Sequence, residues 1–225
     1  MGIILGYLCA VCFLLLAAKW ITHRLHLPKV DIFFMRIHKL LSAAMILLCL
    51  VHFVVVIPVL QTRSLLVNVS GIVILAAVIL LICLCHTIKD REKKMHWHRI
   101  FTFIILAGMV VHIVAYYADF ANYQQKIESI EIENVDLSNV EDGVYEGEYD
   151  AGYIYAKVRA NINDGKIESV ELLEHRNERG KPAEAIIDAV LEEQKIDVDA
   201  VSGATNSSKV IKKAIENAVG SVANF

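Results

Sequence analysis

The sequence predicts a bundle of four transmembrane α-helices followed by a small α+β domain. Three observations carry that prediction. Four long, uncharged apolar stretches fill the first half of a 225-residue chain that is 56% hydrophobic. Residues 1–120 hold 11 Lys/Arg against 4 Asp/Glu, whereas residues 121–225 hold 11 against 21. The polar half also alternates in strand-like fashion before two helix-like stretches. An acidic soluble half argues against nucleic acid as a partner.

The spans are read at roughly 2–18, 40–60, 65–87 and 100–118, each long enough for a bilayer core of about 30 Å. The first has neither a basic leading region nor an A-x-A site, so it is expected to be retained rather than cleaved. Lys19, Arg24, Lys29, Arg36 and Lys39 lie between spans 1 and 2, and Lys89, Arg91, Lys93, Lys94 and Arg99 between spans 3 and 4. The 2–3 connection carries Arg63 alone. Positive charge stays inside, so the expected topology is a multi-pass protein of the cell membrane with its N-terminus and acidic domain outside the cytoplasm. Cys9, Cys12, Cys49, Cys83 and Cys85 all fall in the apolar half. No disulfide or zinc spacing emerges, and they read as packing residues.

Within the spans, His38 and His52 are 14 residues apart, and so are His98 and His112. Fourteen residues advance a helix by about 21 Å and nearly complete four turns, so each pair shares a face. Spans 2 and 4 run the same way through the bilayer. His38 therefore matches His98 near the cytoplasmic side, and His52 matches His112 nearer the outer side. Taken singly, His38 and His98 also read as interfacial residues of basic loops. A polar ring at membrane depth needs a partner, which His52 and His112 would find on a metal. The pattern predicts two haems b, an inner one on His38 and His98 and an outer one on His52 and His112. Copper or di-iron is the less favoured metal, since no carboxylate lies within the spans. Gly108 and Ala43–Ala44 offer room for a macrocycle, or ordinary helix packing. His23, His26, His86 and His96 read as interfacial, with His86 or His96 also placed to meet a haem propionate or a quinone.

This histidine frame, roughly residues 36–115, resembles the ferric-reductase-like transmembrane domain of ferric reductases and NADPH oxidases, which holds two haems b between two such helices. The departures are four spans instead of six and the lack of a cytoplasmic FAD and NAD(P)H domain.

Residues 121–140 read as a linker or stalk helix between a domain at 1–120 and one at 141–225. Strands are expected at 143–149, 153–161 and 167–173, with the NDG at 163–165 as a hairpin turn. Helices are expected at about 182–194 and 206–220. Between them, residues 199–208 (DAVSGATNSS) form a Gly-containing turn leading into a helix start. Its hydroxyls and free N–H groups suit either a phosphate or a plain N-cap.

The succession DGVYEGEY, INDGKIESVELLEH and DVDAVSGATNSSK resembles the FMN-binding domain found in flavin-carrying components of the Na+-translocating NADH:quinone reductase and of the related electron-transport complex. The likeness covers about residues 140–220. It implies FMN esterified through its phosphate to Thr205 by a flavin transferase outside the cytoplasm. Ser202, Gly203 and Ala204 complete the motif, Asp199 is the leading acid, and Ser207 is the lesser candidate for attachment. His175 is expected near the flavin, the alternative being an exposed loop histidine. The contacts of Arg176–Lys181 are left open.

The expected activity is that of an oxidoreductase, a ferric-reductase-like flavocytochrome b. Electrons would pass from a quinol or cytoplasmic reductase through the two haems to FMN, and on to an extracytoplasmic acceptor such as ferric iron. The alternatives are a quinone-linked subunit of a larger membrane complex and a non-redox membrane anchor that displays a flavin domain.

Overall fold

Helices apolar around their whole circumference suit lipid on the outside, because every backbone polar group is then satisfied internally. The computed structural model, which describes residues 2–177 and 179–223, has four such helices. They are α1 (Gly2–Arg24), α2 (Pro28–Val56), α3 (Leu65–Thr87) and α4 (Arg91–Glu128). A 3-10 segment, Ile57–Thr62, extends α2. α1, α3 and α4 cover their expected spans, and α2 covers its own only together with the 3-10 segment; polar termini add turns to α1, α2 and α4. Pro28 opens α2, where its missing N–H costs nothing. Ser64 caps α3, its Oγ accepting from Val67 N at 3.5 Å. Asp90 caps α4 by accepting from Lys93 N at 2.8 Å. Large apolar side chains point outward, Leu40 at 74% and Leu65 at 77% exposure. An apolar exterior of that extent suits lipid and not water. The chain has four helices fit to cross a membrane, followed by a small domain of sheet and helices.

The protein divides into two units, Met1–Tyr117 and Ala118–Phe225. In the first, α1 is antiparallel to α2, as the contacts Gly2–Val56 and Gly6–His52 show. Likewise α3 is antiparallel to α4, with Gly71 against His112 and Ile74 against Gly108. Phe13, Met45, Ala77, Val78 and Ile105 form a buried cluster drawn from all four helices.

The second unit is a three-stranded antiparallel sheet in the order β1 (Gly143–Asp150), β2 (Tyr155–Asn163) and β3 (Lys166–Arg176). The strict alternation of β2 buries Ala156, Val158, Ala160 and Ile162 on one face. The β2–β3 turn is Asp164-Gly165, both at positive φ (52° and 67°), which fits the right-handed twist of the hairpin. On the other face, hydrogen bonds from Lys157 and Arg159 hold the Glu146 carboxyl below the usual carboxylate range.

The buried face of the sheet is covered by α6 (Thr205–Ala223). Its Val210, Ile211, Ala214, Ile215, Ala218 and Val219 are wholly buried. At about 1.5–3 kcal/mol for each large side chain, this helix carries much of the domain's hydrophobic burial. A short α5 (Ile186–Glu193) follows a 3-10 turn, Lys181–Ala185. The segment read as a linker contributes to this same core through Tyr123, Ile127, Ile130, Leu137 and Val140. It is also pinned by polar contacts. Lys209 Nζ donates to Ile127 O at 3.3 Å, and Asn134 Oδ1 accepts from Ile196 N at 2.9 Å.

The tightest backbone contact is that of α6 on β1. A Cβ built at Gly147 would lie 2.3 Å from Ala218 N and 2.4 Å from Ala214 O. Gly147→Ala should therefore force helix and strand apart, costing about 3 kcal/mol or more. At Gly220, farther along α6, a Cβ would meet its nearest neighbour at 3.9 Å. Gly220→Ala should then be neutral or stabilising by about 0.5–1 kcal/mol through helix propensity. Urea midpoints from pulse proteolysis of the full-length protein will show whether the two changes differ in sign.

Candidate functional site

The four span histidines are half-buried, while His26, His86 and His96 are exposed; the side chain of His23 and all of Glu178 lie outside the described residues. His38 and His98 face each other with ring centres 6.2 Å apart and planes tilted by 39°. Two metal–imidazole bonds of about 2 Å each, with about 1 Å more from each nitrogen to its ring centre, span about 6 Å. The pair thus has the separation of two rings on one metal ion. His52 and His112 are close enough to interact electrostatically. Met45 and Ile105 lie seven residues from both histidines of their own helices, so their buried cluster separates the two layers.

Hydrogen bonds fix which ring nitrogen carries the proton. His52 Nδ1 is 3.0 Å from the carbonyl oxygen of Gly2, which can only accept. His52 therefore carries its proton on Nδ1 and leaves Nε2 with a lone pair. His112 Nδ1 is 2.9 Å from Ser70 Oγ. The single Ser70 hydroxyl hydrogen goes to Val67 O at 3.1 Å, so Ser70 accepts from His112. In the other layer, Thr102 donates to His98 O at 2.7 Å and stands 3.4 Å from His98 Nδ1. Ser42 donates to His38 O at 2.8 Å in the same i+4 position. A metal-ligating imidazole held at Nδ1 by a second group is the usual arrangement around bound metals.

Glycines seat the rings of the second layer. A Cβ at Gly6 would lie 3.4 Å from His52 Cε1, and one at Gly71 would lie 3.1 Å from His112 Cε1. Gly108, read from sequence as room for a macrocycle, packs against Ile74 of α3, with a notional Cβ 3.1 Å from Ile74 Cγ1. Lys19 of α1 is within electrostatic reach of both His38 and His98, a charge suited to the carboxylates of a porphyrin. Among the described residues no group of three or more His, Cys, Asp or Glu gathers as a metal site. Two axial imidazoles suffice for haem.

In the second unit the SGAT turn ends on Thr205, the first residue of α6. Gly203 takes φ +77° with open space where a Cβ would be. Ser202 and Thr205 are exposed, and the Thr205 hydroxyl makes no hydrogen bond among the described residues. Ser207 and Ser208, read from sequence as exposed hydroxyls, are 1% and 0% exposed. The helix period places them with Val210, Ile211, Ala214 and Ile215 on the core face. Burial removes Ser207 from the candidates for attachment. Ser208 is a clamp that the sequence reading missed. Its Oγ accepts from Val201 N at 3.1 Å and donates to Ala204 O at 3.1 Å, closing the turn around the motif. Lys212, buried to 5%, ties down the preceding chain through Val198 O at 2.6 Å and Asp197 at 3.0 Å. Asp199 is exposed, and its carboxylate makes no hydrogen bond to the turn among the described residues.

His175 lies within β3, not after it, and its side chain is 3% exposed, which sets aside the loop alternative. Its Nδ1 is 3.1 Å from Glu184 Oε1 and 3.2 Å from Asn177 Nδ2. Its Nε2 is buried and without a partner among the described residues, as is Ser207 Oγ. A Cβ at Gly180 would fall 1.8 Å from Ser207 Oγ and 3.6 Å from Asn177 Cβ, so Gly180 lies directly over the first turn of α6. Thr205, exposed at the first residue of α6, stands where the free N–H groups of a helix N-terminus suit a phosphate.

Comparison with known proteins agrees. Residues 151–220 match the FMN-binding domain family. The match lies within the second unit and takes in β2, β3, α5 and the SGAT turn, with β1 lying ahead of it, and it supports FMN as the ligand of this domain. No curated protein and no solved structure matches the chain. Flavin chemistry in this domain points to electron transfer.

The clamp predicts a contrast in the flavin-free protein. Ser208→Ala breaks two buried hydrogen bonds and should destabilise the FMN-binding domain by about 1–3 kcal/mol. Ser207→Ala deletes a hydroxyl that has no partner and should be neutral or slightly stabilising. Urea midpoints of full-length protein made without a flavin transferase will separate the two.

Proposed function

We propose that this protein carries electrons across a membrane, through two b-type haems, to FMN esterified on Thr205. The observation that carries the reading is the pair of histidine layers, with His38 facing His98 and with Nδ1 of both His52 and His112 held, in one chain with a match to the FMN-binding domain family. His38 and His98 would hold the haem on the cytoplasmic side, which takes electrons from a quinol or a cytoplasmic reductase. His52 and His112 would hold the outer one. Two imidazoles would fill the coordination of each iron, so oxygen binding at the metal would not be expected. Lys19 supplies positive charge for the propionates of the inner haem. The Lys/Arg-rich loops support an FMN-binding domain outside the cytoplasm, where a flavin transferase acts and an acceptor such as ferric iron is met.

For the flavin, Thr205 supplies the ester oxygen, and the first turn of α6 directs free N–H groups at the phosphate. Ser202, Gly203 and Ala204 keep the backbone open for attachment, with Asp199 as the leading acid of the motif. Ser208 keeps the turn closed, and His175 offers a buried nitrogen. FMN supplies the ability to accept electrons one or two at a time.

The pyridine haemochrome of the purified protein should report two haems b per chain. His52→Ala and His112→Ala should each remove the same haem and leave the other; retention of both in either variant would refute the pairing. With a flavin transferase coexpressed, a denaturing gel should show a fluorescent band that Thr205→Ala abolishes while the haem spectrum persists. Persisting fluorescence would move the attachment. In intact cells, a cysteine replacing the exposed Ser138 should react with a membrane-impermeant thiol reagent, and labelling only after lysis would reverse the topology.

A further inference from the structure

The two helix pairs of the membrane unit repeat one design. Gly6 seats His52, and Gly71 seats His112. Four residues before each glycine stands a backbone carbonyl, that of Gly2 in α1 and that of Val67 in α3. Gly2 O takes the His52 Nδ1 hydrogen directly at 3.0 Å. In the second pair the Val67 carbonyl is also within reach of His112, and a hydroxyl joins them, from His112 Nδ1–H to Ser70 Oγ at 2.9 Å and from Ser70 O–H to Val67 O at 3.1 Å. Leu5 occupies the corresponding place before Gly6 and has no such group. Ser70 is itself buried at 9% exposure, so water does not compete for these bonds.

We infer that Ser70 is a positioning residue that sets the reduction potential of the metal held by His112. The inference rests on His52 and His112 being axial ligands of one haem. A hydrogen bond accepted from Nδ1–H draws that hydrogen away from the ring and makes Nε2 a stronger donor to the metal. Donation by Ser70 to Val67 O polarises its oxygen and strengthens the bond it accepts, since chained hydrogen bonds reinforce one another. A stronger donor favours the oxidised iron, so Ser70 holds the potential of this haem down. The hydroxyl also fixes the ring plane of His112. Among the described residues it is the only side chain hydrogen-bonded to either histidine of that layer. The two ligands of one iron thus differ, one held by a backbone carbonyl and one by a hydroxyl relay.

The test is a spectroelectrochemical titration of the full-length protein in detergent, after haem content is measured. In Ser70→Ala, one of the two haem midpoints should move to higher potential while the other stays, with both haems retained. Ser70→Thr, which keeps a hydroxyl, should return that midpoint to the wild-type value. Loss of one haem in Ser70→Ala with its return in Ser70→Thr would carry the same conclusion through occupancy. Two unmoved midpoints in Ser70→Ala overturn the inference, as does loss of the haem in both variants. A wild-type protein without haem would overturn the underlying reading instead, and the haemochrome reports it before any variant is made.

Discussion

Burial of α6 against the sheet is the contact on which the flavin site depends. The helix lies so close to β1 that only glycine fits at position 147 beneath Ala214 and Ala218. That proximity fixes the helix axis, and the axis fixes where its first residue stands. Thr205 is exposed because the next turn is not: Ser207, Ser208, Val210 and Ile211 point inward, and the helical period carries Thr205 to the open side. The motif turn is then closed by a side chain from within the helix, Ser208, and not by a loop residue. A core element thereby presents the Thr205 hydroxyl on a rigid base, which is more exact than a free loop would be.

The membrane unit answers a different constraint. An imidazole in lipid has no water to satisfy its Nδ1–H, so a ring at membrane depth needs an internal acceptor. For His52 the acceptor is the Gly2 carbonyl, for His112 it is Ser70, and for His98 it is the Thr102 hydroxyl. Every one of these choices leaves Nε2 with its lone pair. The rings also need space, which Gly6 and Gly71 provide on the facing helices. Small residues in membrane helices usually let backbones approach; here two of them admit side chains instead.

Much of this is legible in the sequence. Span 3 reads at its observed limits because its flanks, Arg63-Ser64 and His86 to Lys89, interrupt apolarity sharply. The 14-residue spacing yields both histidine pairs because helical geometry is nearly independent of context. The Asp164-Gly165 turn is readable because few dipeptides take two positive φ angles. Other features are hidden for physical reasons. Gly6 and Gly71 look like any small residue in a span, and what they face depends on pairing across helices. Ser207 and Ser208 look like spare hydroxyls, because burial of two consecutive polar residues depends on the phase of α6, which the sheet sets. The contribution of Tyr123, Ile127 and Ile130 to the core of the FMN-binding domain is masked by their polar neighbours, which read as a linker.

The repeat also bears on the cysteines. Aligning the helices on their histidines places Ser42 with Thr102, Met45 with Ile105 and Cys49 with Met109. Aligning α1 and α3 on Gly6 and Gly71 places Cys9 with Ile74. Cys9 and Cys49 are neighbours between α1 and α2, and their counterparts Ile74 and Met109 join the central cluster of the bundle, as Cys49 itself does. One helix pair thus uses two thiols where the other uses two purely apolar side chains, in the same architecture and at the same depth. A position that accepts Ile or Met in one copy is filled for volume and apolarity, and cysteine supplies both as a small, soft hydrophobe. The histidines behave in the opposite way. At the equivalent positions both copies keep a ring that is costly to bury, and each copy supplies an acceptor by a different route. Where the packing residues vary freely and the polar ones recur at the expense of stability, the recurring ones mark what the bundle is built to hold.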